Sequence, residues 1–217
     1  MVQKPKPPAA DEKQIRRLLE KYSCPLLYHE VRARFLGNIA TPSMSARPTQ
    51  VLADLWGGEL PEFESLDDAN ELIGALINGL WNALTRHQKR TEPFRLTRAA
   101  LGSTRQELGE LALLRRQELE GFIEGLFDGQ DRVDLPEKAN TALGILGDVR
   151  AMMIGICEMA KEGSKPASTA ELGQTFKHVR ELTLIMEKEI NAVVLACTRA
   201  RREMLRTENG PPPTTLH

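Results

Sequence analysis

The sequence predicts an all-α protein of six or seven helices that ends in a long helical hairpin. Three observations carry that expectation. Apolar residues recur at steps of three and four along most of the chain, which is the repeat of an amphipathic helix. Ser, Thr or Asp followed three residues later by an acid or amide opens segment after segment, the mark of a helix start. The stretch from Phe35 to Leu84 joins a helix end, a Pro-bounded short helix, a Gly-Gly turn, a capped start and a leucine-striped helix.

Residues 1–10 are rich in Lys and Pro and are expected to be disordered. Asp11 reads as an N-cap, with Gln14 completing a capping box for a short helix to about Tyr22. Pro25 disfavours helix in the residue before it and breaks that segment. A second helix is expected from Leu26 to Ala40, with Leu27, Val31, Phe35 and Ile39 on one face and Thr41-Pro42 as its stop. Pro48 suits a first helical position, and the short helix it opens should end at Gly57-Gly58. Ser65 with Asp68 then starts a helix that reaches Arg90, striped by Leu72, Leu76, Leu80 and Leu84 with Ile73, Ile77 and Trp81 beside them. Trp56 and Trp81 are expected to anchor the core.

Pro93 and Gly102 bracket a connector. Ser103 with Gln106 is expected to cap the next helix, to about Asp128, with Leu108, Leu111, Leu114, Leu119, Phe122 and Ile123 inward. Gly121 and Gly125 lie four apart within it. A mid-helix glycine costs about 1 kcal/mol relative to alanine, so close approach of a neighbouring helix is the expected compensation. The last third reads as a hairpin over residues 135–206. Asp134 with Glu137 starts one arm, striped by Ala139, Ala142, Leu146, Val149, Met153, Ile156 and Ala160 to about Lys161. A turn over Glu162–Ser168 follows, and Ser168 with Glu171 caps the second arm. That arm is striped by Phe176, Val179, Thr183, Met186, Ile190, Val193, Cys197, Ala200 and Met204 to about Arg206. The alternating steps of three and four suit antiparallel partners. The second arm is expected to outrun the first by about ten residues, or ~15 Å. That overhang must cross the N-terminal half or meet another molecule. Residues 11–206 are therefore expected to form a single domain, with halves 11–92 and 103–206, and residues 207–217 a disordered Pro-rich tail.

A chain of 217 residues can bury a core that outweighs its own entropy. With 29 basic and 30 acidic residues the net charge is -1, which argues against a dedicated nucleic-acid binder while leaving room for a local basic patch. At 5% aromatics, a stacking platform for single strands is not expected. The three cysteines, Cys24, Cys157 and Cys197, are odd in number and widely spaced, and read as buried thiols in a reducing cytosol. The N-terminus lacks the apolar region of a secretory signal, and no run approaches the ~18 apolar residues of a membrane span. A cytoplasmic location without membrane contact is the resulting expectation.

Three segments resemble the YecA/YgfB-like family of bacterial helical proteins. Phe35-Leu36-Gly37-Asn38-Ile39-Ala40-Thr41-Pro42, followed by Pro48, is similar to that family's "GFLTAL…GP…P" segment. Leu55-Trp56-Gly57-Gly58-Glu59 through Phe63-Glu64-Ser65 is similar to its "WGGE…FES" segment. Glu118 to Leu126 resembles its second "W…GFLRGL" helix. The resemblance implies a YgfB-like fold and an interaction or regulatory role rather than catalysis. Two departures define a divergent member. The Cys-rich zinc module that ends many family members is missing, so zinc is not implied. Arg32-Ala33-Arg34 replaces an acidic or Asp-Gly pair.

The residues themselves offer no catalytic constellation. None of His29, His87, His178 or His217 has a Glu three residues before it, as carboxylate metal sites on bundles require. His29-Glu30 lacks the second His of a zinc-protease helix, and no P-loop, GxGxxG or GxSxG occurs. Cys24 and His29 are the nearest approach to a nucleophile pair, but Pro25 intervenes and nothing orients the imidazole. His178 borders the last apolar stripe and reads as an edge residue. No cofactor is expected. The candidate partner-binding residues are the basic helix ends: Arg86, Lys89 and Arg90, and Arg199, Arg201, Arg202 and Arg206. Charge complementary to a helix dipole explains them economically. As a surface they would dock an acidic protein, and Glu at Arg201 and Arg202 should then spare the fold. The leading expectation is a non-enzymatic protein-interaction or adaptor module with an unknown protein partner. Nucleic-acid or ribosome association through the same basic ends is the alternative, and an unrecognised hydrolase or metal enzyme the third class. A homodimer through the last helix is left open.

Overall fold

The computed structural model describes residues 11–42, 48–100, 102–161 and 168–208. Among these residues seven helices follow in order: α1 (Glu12–Lys21), α2 (Tyr28–Ala40), α3 (Pro48–Ala53), α4 (66–88), α5 (Arg105–Phe127), α6 (Glu137–Lys161) and α7 (Thr169–Glu208). A 3-10 turn, Asp54–Trp56, extends α3 to Gly57, whose φ of 84° ends it in the left-handed region. The fourth helix, α4, is composite. It is α-helical over Leu66–Ile73, π-helical over Gly74–Trp81, α-helical over Asn82–Leu84 and 3-10 over Thr85–Gln88. The expected tail at 1–10 and residues 162–167 of the expected hairpin turn lie outside the described residues; of the tail expected at 207–217, Thr207 and Glu208 instead continue α7, and the rest lies outside the described residues.

The deepest contact is between α2 and α5. His29 meets Gln117, Arg34 meets Glu124, and Asn38 meets Gly125 and Asp128, so the partner's number climbs with α2's own and the two helices run parallel. Glycine lets them touch backbone to backbone. A Cβ at Gly125 would lie 2.0 Å from the Arg34 carbonyl oxygen, and one at Gly37 would lie 2.2 Å from that of Phe122. Gly121 faces the Glu30 carbonyl oxygen in the same way. The glycine pair expected to mark a close helix approach does so, and Gly37 on the facing helix completes it.

Around this crossing, α5 packs on α6 and α6 on α7, as an antiparallel hairpin requires. Ala139, Ala142, Leu146, Val149 and Met153 of α6 are buried, as are Phe176, Val179, Met186, Ile190, Val193 and Cys197 of α7. The last arm is longer than expected, 40 residues against 25 for α6. Its overhang crosses the N-terminal half and packs on α2 and on the 3-10 turn of α4.

Between α4 and α5 the chain is extended. Phe94 and Leu96 enter the core while Arg95 points outward, a strand's alternation without a sheet. Side chains take the place of the missing strand. Asn191 accepts from the Phe94 N–H at 2.8 Å and donates to its carbonyl at 3.0 Å. Glu187 accepts from the Leu96 N–H at 3.0 Å, and Arg32 donates to the Arg95 carbonyl at 2.7 Å. Glu118 accepts from the Thr97 N–H, and Arg115 donates to the Thr97 carbonyl, both at 2.7 Å. Arg115 and Glu118 are themselves buried and paired with each other. The sequence presented this stretch as a plain connector.

Several sequence expectations shift by a turn or less. The second helix starts at Tyr28, so Leu27 becomes its N-cap and is 54% exposed rather than part of the apolar face. Asp11 caps α1 through the Lys13 N–H, while Gln14 leaves the expected box and donates to Glu71. The cap of α5 is Thr104 with Glu107, not Ser103 with Gln106, because the Glu107 carboxylate collects both the Ser103 and Thr104 N–H groups. Pro136 moves the start of α6 past Asp134 to Glu137. The expected box of Ser168 and Glu171 forms, with the Ser168 N–H donating to Glu171 at 2.8 Å. In α4 the leucine stripe has steps of four. Such a stripe drifts by about 40° per step around an α-helix. The wider π winding removes much of that drift and keeps Leu72, Leu76 and Leu80 together in the core.

The helix crossing generates a test. Gly125→Ala should destabilise the protein by about 3 kcal/mol, because its methyl group meets backbone that cannot rotate away. Gly144→Ala, where the space is open, should instead raise stability by up to about 1 kcal/mol. Urea denaturation of the two variants measures both.

Candidate functional site

The basic helix ends converge on the C-terminus of α2. That helix has no basic residue in its last turn, so its final carbonyls need donors from elsewhere. Gln88 of the 3-10 turn donates to the Ile39 carbonyl, and Arg201 of α7 donates to the Thr41 carbonyl, both at 3.3 Å. Arg201 is half-buried, and burial lowers its pKa from the ordinary arginine value. Arg201 thus has a hydrogen bond within the fold, which the expectation that its charge could be reversed without harm did not include. Arg199, Arg202 and Arg206 stay exposed. Arg86 and Lys89 both face Glu92, at 4.0 and 3.8 Å, and Arg90 is exposed beside them.

His87 sits under this end of the molecule. Its Nδ1 is 2.8 Å from the Glu92 carbonyl oxygen, and its ring meets Phe94 edge-on at 5.4 Å. Burial lowers its pKa, the Glu92 hydrogen bond opposes that shift, and the charges of Arg86 and Arg32 add to it.

A polar cleft opens on the other side of α2. It has a volume of about 380 Å³ and is lined by Arg34, Asn38, Val51, Asp54, Gly57, Asp128 and Gly129. Asn38 is 3% exposed, and its amide nitrogen donates to the Gly125 carbonyl and to Asp128. Its Oδ1 is buried without a partner. Burial raises the pKa of Asp128, and the charge of Asp54 raises it further.

An apolar groove of about 550 Å³ runs between α6 and α7. Met152, Ile156 and Met159 line one wall, and Leu182 and Ile185 the other, with His178 and Glu181 at the rim. Met152 is 49% exposed and Ile185 38%. Ile145, Met152 and Met159 recur every seven residues on α6 and form a second seam beside the one buried against α7. The sequence reading followed only the stronger stripe. The heptad of these three was the available signal. The cleft of Asn38, Asp54 and Asp128 left no such signal, because helix packing assembles it from distant segments.

The remaining candidates find structural places. His29 meets Gln117 through Nε2 at 3.0 Å. The Cys24 thiol lies against the Leu55 carbonyl oxygen and burial pushes its pKa up, so imidazole and thiol serve separate partners. Burial also raises Cys157, and pushes Cys197 up to about 11. Trp81 is buried edge-on against Phe35, whereas Trp56 is half-buried and donates to the Tyr22 carbonyl at 2.8 Å. Among the described residues no group of three or more His, Cys, Asp or Glu side chains could hold a metal ion. No helix among them is long and apolar enough to cross a membrane.

Comparison with known proteins returns no matching family model, no matching curated protein and no matching solved structure.

Two outcomes follow from this geometry. Arg201→Glu should destabilise the fold by about 1–3 kcal/mol, since it leaves a buried carbonyl unpaired and puts a negative charge at a helix C-terminus. Arg202→Glu should change stability by less than about 0.5 kcal/mol, and thermal unfolding separates the two. Burial holds the His87 pKa below its ordinary value of 6.5 in the fold, so stability is full above that value. Below that pH the unfolded chain binds the proton more readily than the folded chain, and stability falls. Melting curves across this range should show a slope that His87→Gln reduces.

Proposed function

We propose that this chain is a non-enzymatic helical interaction module, and that its partner seat is the groove between α6 and α7. The carrying observation is a seam of exposed Met152, Met159 and Ile185 over half-buried Leu182, continued along α6 by exposed Ile145. Two packed helices with a heptad-spaced outer stripe offer a third helix a ready register. Gly155 in the groove has open space over it, which admits a close-lying backbone. Methionine at two of the wall positions supplies an adaptable surface. The occupant is an amphipathic helix of a partner protein. The YecA/YgfB-like resemblance belongs to the same reading, since it implies interaction rather than catalysis.

A second reading is nucleic-acid association at the other end of the molecule. It is favoured by the convergence of the Arg86–Arg90 turn and the Arg199–Arg206 segment around the end of α2. Three of those charges already have local work in Arg86, Lys89 and Arg201, which leaves it the weaker reading.

Capture from nuclease-treated lysate separates the two. The interaction reading expects a partner that is retained by the wild-type chain and by Arg202→Glu but lost with Met152→Glu. A synthetic peptide of that partner's apolar segment should gain helicity on binding. Capture that is indifferent to Met152→Glu overturns the groove. Capture that disappears with nuclease, or with Arg202→Glu alone, supports the second reading. A doubled mass of the purified chain, abolished by Met152→Glu, would make a second copy the occupant instead.

A further inference from the structure

The charges that border the groove between α6 and α7 fix the kind of helix it takes. We propose that the groove selects a basic amphipathic helix, one that carries lysine or arginine on both flanks of its apolar stripe. The inference rests on the groove being the partner seat and adds the chemistry of the partner.

Each wall carries an acid that the fold leaves unanswered. On α7, Glu181 lines the groove beside Leu182 and Ile185. On α6, Asp148 stands three residues after Ile145 and four before Met152, a spacing that puts all three on one face. Both acids are exposed. Neither carboxylate has a hydrogen bond or an ion pair with any described residue. Glu187 and Glu189 of α7, by contrast, are answered by Arg95 at 2.6 Å and by Lys188 at 2.8 Å.

The bases of the two helices are engaged elsewhere or face away. Arg150 reaches across to Glu120 of α5 at 2.8 Å. Lys161 lines a separate groove on the α5 side of α6. Lys188 holds Glu189. Arg180 precedes Leu182 by two residues and so lies on a different face of α7. Lys177 stands four residues before Glu181 but makes no ion pair with it. His178, at the rim, meets Gln174 through Nε2 at 3.0 Å. Beyond Ile145 the start of α6 adds one charge of each sign, Glu137 and Lys138.

An apolar groove on its own accepts any helix with a matching stripe. Charges at its edges decide which one, because like charges set side by side are costly. From Ile145 to Met159 the seam covers about 14 residues, or ~21 Å along α6, enough to hold about four turns of a partner. A helix laid there turns the positions flanking its apolar stripe toward the two walls. Asp148 waits on one wall and Glu181 on the other, so both flanks are best filled by cations.

The test uses three designed peptides of about 18 residues, each with leucine at heptad positions a and d. Positions e and g are lysine in the first, glutamine in the second and glutamate in the third. Anisotropy of the labelled peptides reads their binding to the purified full chain at low salt. Affinity should fall in that order, with about tenfold or more between lysine and glutamate. Asp148→Lys with Glu181→Lys should reverse the order, and thermal unfolding confirms that this variant folds. Met152→Gln with Ile185→Gln should weaken all three peptides. A scrambled lysine peptide without the stripe should bind about tenfold more weakly than the ordered one. Equal binding of the three peptides, or preference for glutamate, overturns the charge selection; if each is still weakened by the Met152 and Ile185 substitutions, the groove itself stands. A lysine preference that survives the double reversal, or that the scrambled peptide shares, places the attraction elsewhere and overturns the selection too. No binding by about 1 mM, or binding indifferent to the Met152 and Ile185 substitutions, overturns the groove and this inference together. A dimer of the purified chain that no peptide displaces would put a second copy in the groove and overturn the basic helix as its occupant.

Discussion

Backbone contact between α2 and α5 is the constraint on which the rest of the molecule depends. Gly37, Gly121 and Gly125 let two parallel helices approach until a carbonyl of one fills the space a side chain would take on the other. That closeness sets the register of the pair. It brings Asn38 to Asp128 and His29 to Gln117. Parallel neighbours so far apart in sequence also require a long return path, and α3, α4 and the extended segment supply it. The position of every other helix follows from where those connections can run.

The return path is secured by polar side chains rather than by a sheet. Asn191, Glu187, Glu118, Arg115 and Arg32 each answer a backbone group of Phe94–Thr97. A buried backbone group without a partner costs about as much as a lost hydrogen bond, so these side chains have little freedom to be elsewhere. The arrangement joins α2, α5 and α7 through one segment of main chain. Its buried Arg115–Glu118 pair is better read as a device for specifying this geometry than as a source of net stability.

Surface chemistry is divided among three places that do not overlap. The end of α2 gathers positive charge, and part of that charge is used to cap α2 itself. The cleft on the same helix sets Asp54 and Asp128 beside the Arg34 guanidinium. The hairpin of α6 and α7 presents an apolar groove at a distance from both in sequence. Arg201 shows why a basic run need not be a binding surface: a helix terminus elsewhere in the fold can claim a guanidinium for its own carbonyls. The thiols and His29 likewise have surroundings inside the fold: burial raises the thiol pKa values, and Gln117 meets the imidazole.

The sequence by itself determined what is local. The helix class, the break at Pro25, the turn at Gly57, the box of Ser168 with Glu171 and the stripes of the hairpin all rest on spacings within a few residues. Gly121 and Gly125 even announced a close helix neighbour, since mid-helix glycine needs a compensation. Tertiary structure alone decided which helix that neighbour is, that the two run parallel, and that a plain connector becomes an extended segment of the core. It also decided that Thr104 rather than Ser103 caps α5 and that Leu27 faces solvent, because neighbouring cap residues compete on geometry that spacing does not resolve. The cleft was invisible for a further reason. Asn38, Asp54 and Asp128 belong to three segments, and only the glycine crossing, with the left-handed turn at Asp128, brings their oxygens together.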